Sequence, residues 1–460
     1  MYRLAICILT ALFCAVGNAQ NPSKPRIKTS PAQVDTEAPT PVDPEDMAGS
    51  KVWSLGYTIT QHTSAGTSVE PPSTPIHMLM RREQGWLFML HGTAFLADTQ
   101  QHASPPRNRD KLFSTNWIMP MAQHQVGSGV LTFRTMLSLE PATVTGRFFP
   151  ELFQQGETAY GNPIIDGQHP HDFVMELAAL YDLPVSEHAM LSLYLAPVGD
   201  PAIGPTAYPH RLSASEDPIA TLGHHQQDST HNAFNVMTAG LTYKMLRAEI
   251  SGFHGAEPTD ARWHLQPSPN GVAPDSISGR LTFTPTQNLA AQYSVAHITS
   301  PEALTLSQNQ FRQTASVMYN RPIGAHTDTT SMPGMTMSSP AAGNWSTTAV
   351  WGQTKSLPGN LTENSYLLES LLTLQRNSFY TRIETAARTS ELLTPAPSVE
   401  IPVGHVQAYT VGYDRAYRIA PHLEAAPGVQ FTQYRAPDSL VATYGRTPFS
   451  VVAFLRLRLH

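Results

Sequence analysis

The stretch "IIDGQHPHDFVMELAAL", residues 164–180, sets Asp166, His169, His171, Asp172 and Glu176 close together. Imidazole with carboxylate is the donor set of zinc and copper(II) sites, and close carboxylate pairs carry out acid–base work. Two more segments carry the same groups. "YPHRLSASEDPIATLGHHQQDSTHNAF" holds His210, His224, His225, Asp228 and His231, while "GFHGAEPTDARWHL" holds His254, Glu257, Asp260, Arg262 and His264. None of the three has a closed ligand spacing such as the zincin helix motif, and histidines in long polar connections are commonly just hydrogen-bonded. His169, His171, His224, His225, His231 and His254 are therefore candidate metal donors, with packing in the loops as the plainer reading. The segment "SMPGMTMSS" adds Met332, Met335 and Met337, whose soft thioethers select copper(I) and which have few apolar neighbours to pack with. Copper or zinc is the only candidate cofactor.

For catalysis the chain offers no G-x-S-x-G, no H-E-x-x-H and no Gly-rich phosphate loop. The expectation is that it is not an enzyme, with an outer-membrane hydrolase carrying a rim Ser–His pair as the alternative of that class. Both cysteines, Cys7 and Cys14, lie in "MYRLAICILTALFCAVGNA", where Arg3, an apolar run and small residues near position 19 give the layout of a cleaved signal peptide. The exported chain then has no thiol, which excludes a disulfide framework and a Cys-ligated metal together. Residues 20–50, rich in proline and poor in large apolar groups, read as a disordered periplasmic tether. Residues 51–83 form an N-terminal extension, and 84–460 the main body. A net charge of −6 with scattered basic residues excludes a nucleic-acid footprint. No apolar run reaches the roughly 18 residues a membrane helix needs.

The elements that must position these groups declare themselves by alternation. In "GVLTFRTMLSLE", Leu131, Phe133, Leu137 and Leu139 oppose Thr132, Arg134, Ser138 and Glu140; in "PFSVVAFLRLRLH", Phe449 to Leu459 at odd positions oppose Ser450, Arg456, Arg458 and His460. The same split sets Arg247 and Glu249 against Ala248 and Ile250, Arg280 against Leu281, and Arg382 and Glu384 against Phe379 and Ile383. In 171–181, Phe173, Met175 and Leu177 form the apolar face, with Asp172 and Glu176 opposite. Strands that show apolar groups on one face and charge on the other, over the roughly nine to eleven residues that cross a bilayer, predict a transmembrane barrel rather than a soluble sandwich.

Candidate strands start near Trp86, Phe113, Val130, His171, Met190, Phe234, Arg247, Gly279, Ala290, Phe311, Trp345, Tyr366, Ser378, Val406, Leu423 and Phe449. The expected fold is all-β, an antiparallel transmembrane β-barrel of about 16 strands, within a range of roughly 14 to 18. Its long His-bearing loops share one mouth and the Met segment sits at the other. The inward charges would be Arg134, Glu140, Asp172, Glu176, Arg247, Glu249, Arg280, Arg382, Glu384, Arg456 and Arg458. Their excess of arginine would make an open lumen mildly anion-favouring.

The strings "QHPHDFVMELAALY", "EPTDARWHL", "DSISGRLTFTP" and "SVAHITSPEAL" give the chain a resemblance. Over roughly residues 84–320 it resembles a poorly characterised group of Gram-negative exported proteins associated with outer-membrane barrels and with genes for heavy-metal or copper efflux. The resemblance implies an outer-membrane location and a link to metal handling, with no established site to carry over. Barrel chains commonly end in an outward aromatic, whereas this one ends in His460, inward by parity. The leading expectation is thus a porin-like conduit or accessory barrel for small polar or metal-containing solutes, in contact with outer-membrane lipid and the barrel-assembly machinery. A non-transporting, metal-binding exported β protein is the alternative.

Overall fold

In hydrocarbon every strand's N–H and C=O groups need a neighbouring strand, and only a closed ring leaves no edge. The computed structural model has that closure. It describes residues 54–459 apart from 160, 230–231, 259–260, 266–272, 302–307, 325–326, 329–336, 339–341 and 396–398. The expected signal peptide and tether, His231, Asp260, Met332, Met335 and His460 lie outside the described residues, and of Met337 only the backbone is described.

Sixteen strands run up and down in chain order. They are β1 (Trp86–His102), β2 (Arg109–Val126), β3 (Gly129–Leu137), β4 (Val174–Ser186), β5 (Ala189–Gly199), β6 (Ala233–Tyr243), β7 (Leu246–His254) and β8 (Ser276–Thr286). Then follow β9 (Leu289–Ile298), β10 (Asn309–Ile323), β11 (Gly343–Leu357), β12 (Thr362–Leu374), β13 (Asn377–Thr389), β14 (Pro402–Arg415), β15 (Leu423–Arg435) and β16 (Phe449–Leu459). Each pairs antiparallel with the next, and β16 returns to β1, with Phe449 opposite His102 and Arg458 opposite Thr93. The strand starts expected from alternation fall within a few residues of these, because the lipid–lumen contrast is written into every strand.

Tight turns at 127–128, 187–188, 244–245, 287–288 and 375–376 gather at one end, where Gly127, Lys244 and Gln375 take the positive φ such turns require. The connections 138–173, 200–232 and 255–275 all leave from the opposite end. β10 ends at Ile323 and β11 begins at Gly343 at the turn end, so the connection that carries the Met segment leaves from there, while Met332 and Met335 lie outside the described residues.

The outward positions are apolar and exposed, among them Phe133, Leu193, Leu241, Ile250, Leu281 and Ile383. Toward the turn end, Trp345 packs on Tyr319 at 5.6 Å and Phe379 on Tyr413 at 5.1 Å; Tyr366 and Tyr409 stand exposed further along. An apolar band edged by aromatics is the outer surface of a membrane-spanning barrel. No described helix is long and apolar enough to cross a membrane.

Three expectations near the opening stretch need correction. β4 starts at Val174, so Asp172 lies in the preceding loop and not on a strand. β3 ends at Leu137, and Glu140 instead opens a short helix, Glu140–Thr143. Met175 does not face lipid: a bulge in β4 lets Met136 pair with Glu176 while Leu137 pairs with Val174, and both Met175 and Glu176 are buried inside. An inserted residue of this kind breaks the two-residue period locally.

The lumen is filled. Helix α1 (Ser54–Gln61) and the chain that follows it run inside the wall, where Leu55 and Ile59 cluster with Val69 and Met190. From the loop end, 200–232 folds inward, burying Ile203, Leu212, Ile219 and Leu222. Close approach is built in at Gly352 of β11, where an added Cβ would lie 2.3 Å from the Gln226 carbonyl oxygen. At Gly66 (φ +64) an added Cβ would lie 2.7 Å from Asp200.

Candidate functional site

The charged residues that alternation points inward are the anchors of these two insertions. Glu176 on β4 receives Arg134 of β3, with Nε to Oε2 at 2.5 Å. Glu176 also accepts the Gly66 N–H at 2.9 Å and the Tyr194 hydroxyl at 2.7 Å, while Arg134 donates to the Gly66 carbonyl at 2.6 Å. Glu249 sits between Arg247 at 3.0 Å and Arg280 at 2.9 Å, and Arg280 also reaches Thr67. His62, in the N-terminal segment, meets Asp182 of β4 at 2.8 Å.

The loop 200–232 is held the same way. Arg211 donates to Glu369 of β12 at 2.6 Å and to Asp228 at 3.0 Å. Arg382 of β13 meets Asp217 at 3.0 Å, and Glu384 accepts the Leu222 N–H at 2.6 Å. Arg456 of β16 pairs with Glu216, with Asp414 at 3.2 Å and with Glu424 at 3.2 Å; Arg458 reaches Glu216 at 2.9 Å. The expected arginine excess is thus neutralised, partly by Glu216, Asp217 and Asp228 from a loop that sequence alone places at the mouth. That removes the basis for anion preference.

At the loop end, His169, His171, His224 and His225 converge on one small cavity of about 50 Å³. His254 is not among the lining residues, although Phe253 and Gly255 on either side of it are; its Nδ1 lies 3.0 Å from Asp275. Each histidine there has a carboxylate partner: His169 and His225 share Glu157, His224 meets Asp228 at 2.6 Å, and His171 meets Glu140 at 3.0 Å. Burial would raise the Glu157 carboxyl, but the two imidazoles overcome it and hold it well below its ordinary range. For His171 burial acts to lower the pKa, and the adjacent Glu140 carboxylate reverses this, so that its pKa is raised. Asp172, paired with Arg262 at 3.0 Å, is pushed up to about 6 by burial. Among the described residues, no three or more His, Cys, Asp or Glu are grouped so as to hold a metal ion. The four histidines thus converge as imidazole–carboxylate latches, of which His225–Glu157 ties the 200–232 loop to the 138–173 loop and the others brace single loops.

A larger cavity, about 130 Å³, lies between the N-terminal segment, the β1–β2 wall and the loop 200–232. Its lining includes Glu70, His91, Trp117, Glu140, Met175 and His210. A cavity of this size and polarity admits several waters. Glu70 joins the two insertions, accepting the Leu212 backbone N–H at 2.9 Å.

Burial raises Glu70 to about 7 against the lowering effects of that hydrogen bond and of Arg211. The folded state therefore favours the neutral acid. The stability gained by burying the neutral acid is fully present below the unfolded value near 4.5 and is lost as pH rises through about 7, where the desolvation of the ionised carboxylate outweighs its stronger bond to the Leu212 N–H. We expect protease access to residues 54–77 in the folded barrel to increase between roughly pH 6 and 8, and Glu70→Gln to abolish that dependence. A flat parent profile would count against burial of Glu70 between the insertions.

Sequence reasoning missed this interior. Apolar Leu55 and Ile59, one helical turn apart, and Leu212, Ile219 and Leu222, spaced through a supposedly solvated loop, were the available signals.

No protein-family model matches the sequence, and no curated relative matches it. Among solved structures, the chain is similar to the anion-selective porin from Comamonas acidovorans, at 11% identity over 81% of this chain and 100% of that one, with a TM-score of 0.48. It is also similar to OprB of Pseudomonas putida, at 7% identity over 82% and 94%, TM-score 0.48, and to OmpF of Salmonella typhi, at 8% over 82% and 100%, TM-score 0.46. The likeness is one of chain path, and the barrel stands on its own closed strand pairing.

Proposed function

We propose that this chain is an outer-membrane, porin-like conduit whose resting lumen is closed by two insertions, and that it passes small polar or metal-containing solutes when they shift. The carrying observation is how the insertions are held. Alongside the apolar clustering of Leu212 and Ile219 with wall residues such as Phe95 and Phe454, charged and hydrogen-bonded contacts to the wall, such as Arg134–Glu176–Gly66 and Arg211–Glu369, can be exchanged for water. The lipid-facing band supports an outer-membrane location, with the loop end outside the cell. In this setting lipid and the barrel-assembly machinery are its partners.

The filled lumen also favours a second reading, a barrel that captures metal without transport. Reconstitution separates the two. The conduit reading expects a heat-modifiable, outer-membrane-fractionating protein that gives discrete conductance steps in planar bilayers, increasing under conditions that loosen the insertions. A folded barrel that stays electrically silent across voltage, salt and pH would leave only the capture reading.

A further inference from the structure

The inner wall of β1 to β4 differs in chemistry from the rest of the interior. β1 turns Met89 and His91 inward, β2 Met119 and Met121, β3 Met136, and the bulge in β4 adds Met175. The short strand Leu79–Glu83 sets Met80 opposite Met89, which is opposite Met121, while His91 is opposite Met119. With Met78, seven of the chain's 16 methionines form one cluster. Packing alone does not call for this choice, since the three other large apolar clusters of the interior are built from Leu, Phe, Val, Ile, Ala and Tyr and contain no methionine.

Nitrogen donors stand at the same wall. His91 is 8% exposed, its Nε2 is buried with no hydrogen-bond partner, and its ring opens on the larger cavity together with His210, Met78 and Met175. The loop's His210 lies with Nε2 3.3 Å from the Met136 sulfur, 4.5 Å from the Trp117 ring and 5.9 Å from the His91 ring. A buried imidazole nitrogen left unsatisfied costs free energy unless something meets it. Thioethers carry no charge and no proton, and beside imidazole they suit soft monovalent ions over zinc or magnesium.

We propose that this wall binds a soft monovalent cation, of the copper(I) or silver(I) class, with His91 Nε2 as the nitrogen donor and sulfur donors drawn from Met78, Met136 and Met175. The site's donors are not those of the imidazole–carboxylate latches, although the His171–Glu140 pair lines the same cavity. It deepens the conduit reading by naming a solute class, and it rests on that reading only for the ion's route, because binding is measured without conductance.

The test is equilibrium dialysis and calorimetry of the purified, folded, full-length barrel with silver nitrate in chloride-free buffer, with zinc as the borderline-ion control. The expected result is a saturable silver site that zinc does not displace. Met136→Leu/Met175→Leu, nearly volume-conserving, should weaken it by on the order of tenfold or more, as should His91→Phe, with heat-modifiable migration retained. Met332→Leu/Met335→Leu/Met337→Leu should leave it unchanged. Absence of saturable silver binding in the parent, equal binding in the Met136/Met175 variant, or loss only in the Met332/Met335/Met337 variant would overturn the proposal. Silver binding by a barrel silent in bilayers would keep the site and discard the conduit; conductance without silver binding would do the reverse.

Discussion

A chain lacking residues 54–77 should conduct several-fold more than the full chain in planar bilayers. The segment contributes α1 and the stretch through Gly66 and Glu70, and it spans the lumen from the turn end, where Asn320 of β10 donates to the Ser73 carbonyl and Gln123 of β2 to the Thr60 carbonyl, to Glu176 near the loop end of β4. Its removal strips no strand from the ring, because β1 begins at Trp86 and pairs with β2 and β16 independently of it. Of the groups it uncovers, Arg134 with Glu176 and Arg247 with Glu249 and Arg280 are already paired with one another, while Asp182 loses His62 and keeps the Ser192 hydroxyl; all can hydrate. Leu55, Ile59, Val69 and Met190 lose their cluster, but only Met190 belongs to the wall, so the folded barrel should survive. Single-channel recording of parent and truncated proteins in the same lipid decides the matter. Equal conductance would mean that the loop 200–232 closes the lumen without help.

The second large effect is expected at Arg211. Its side chain is 0% exposed and donates to Glu369 at 2.6 Å, to Asp228 at 3.0 Å and to the Thr206 carbonyl at 2.8 Å. Arg211→Leu leaves two buried carboxylates short of a cation. Breaking a buried pair from one side costs about 3 to 5 kcal/mol, whereas replacing both partners with apolar groups costs much less. Since the sixteen strands do not depend on this contact, the penalty should fall on docking of the loop. We expect Arg211→Leu to make the 200–232 loop a chymotrypsin target within an otherwise intact barrel, and Arg211→Leu/Glu369→Leu to recover part of the protection. Arg382, 3.5 Å from Glu369, and His224, 2.6 Å from Asp228, limit the damage on the two sides. Digestion indistinguishable from the parent would show that Arg211 fills space without holding the loop.

The barrel was legible because lipid and lumen impose opposite demands on neighbouring residues, and Ile250 beside Glu249, or Phe133 beside Arg134, records both in adjacent letters. The convergence of His169, His171, His224 and His225 was legible too, since it follows from an up-and-down order. What sequence hides is the partner of an inward charge. Arg211, Glu216, Asp217 and Asp228 look the same whether they meet water or a wall, and Glu369 lies far along the chain on another strand. Alternation also fails where the backbone departs from it, which is why it turns Met175 toward lipid although the side chain is buried inside. The methionine wall combines both difficulties: each sulfur is one ordinary apolar letter, and only the neighbouring of β1, β2, β3 and β4 makes them a group.

The bulge in β4 has a consequence for how this wall can vary. A regular strand grants the interior only one of any two consecutive side chains, so a thioether at 175 and an acid at 176 would exclude each other. Here the irregular pairing of Met136 and Leu137 admits both, and one position serves the methionine cluster while the next clamps Arg134 and Gly66. Exchanging the residue at 175 can therefore retune the interior's softness without loosening the acid that fastens the N-terminal segment. Deleting that single residue would restore regular alternation and force the two roles to compete for the same place.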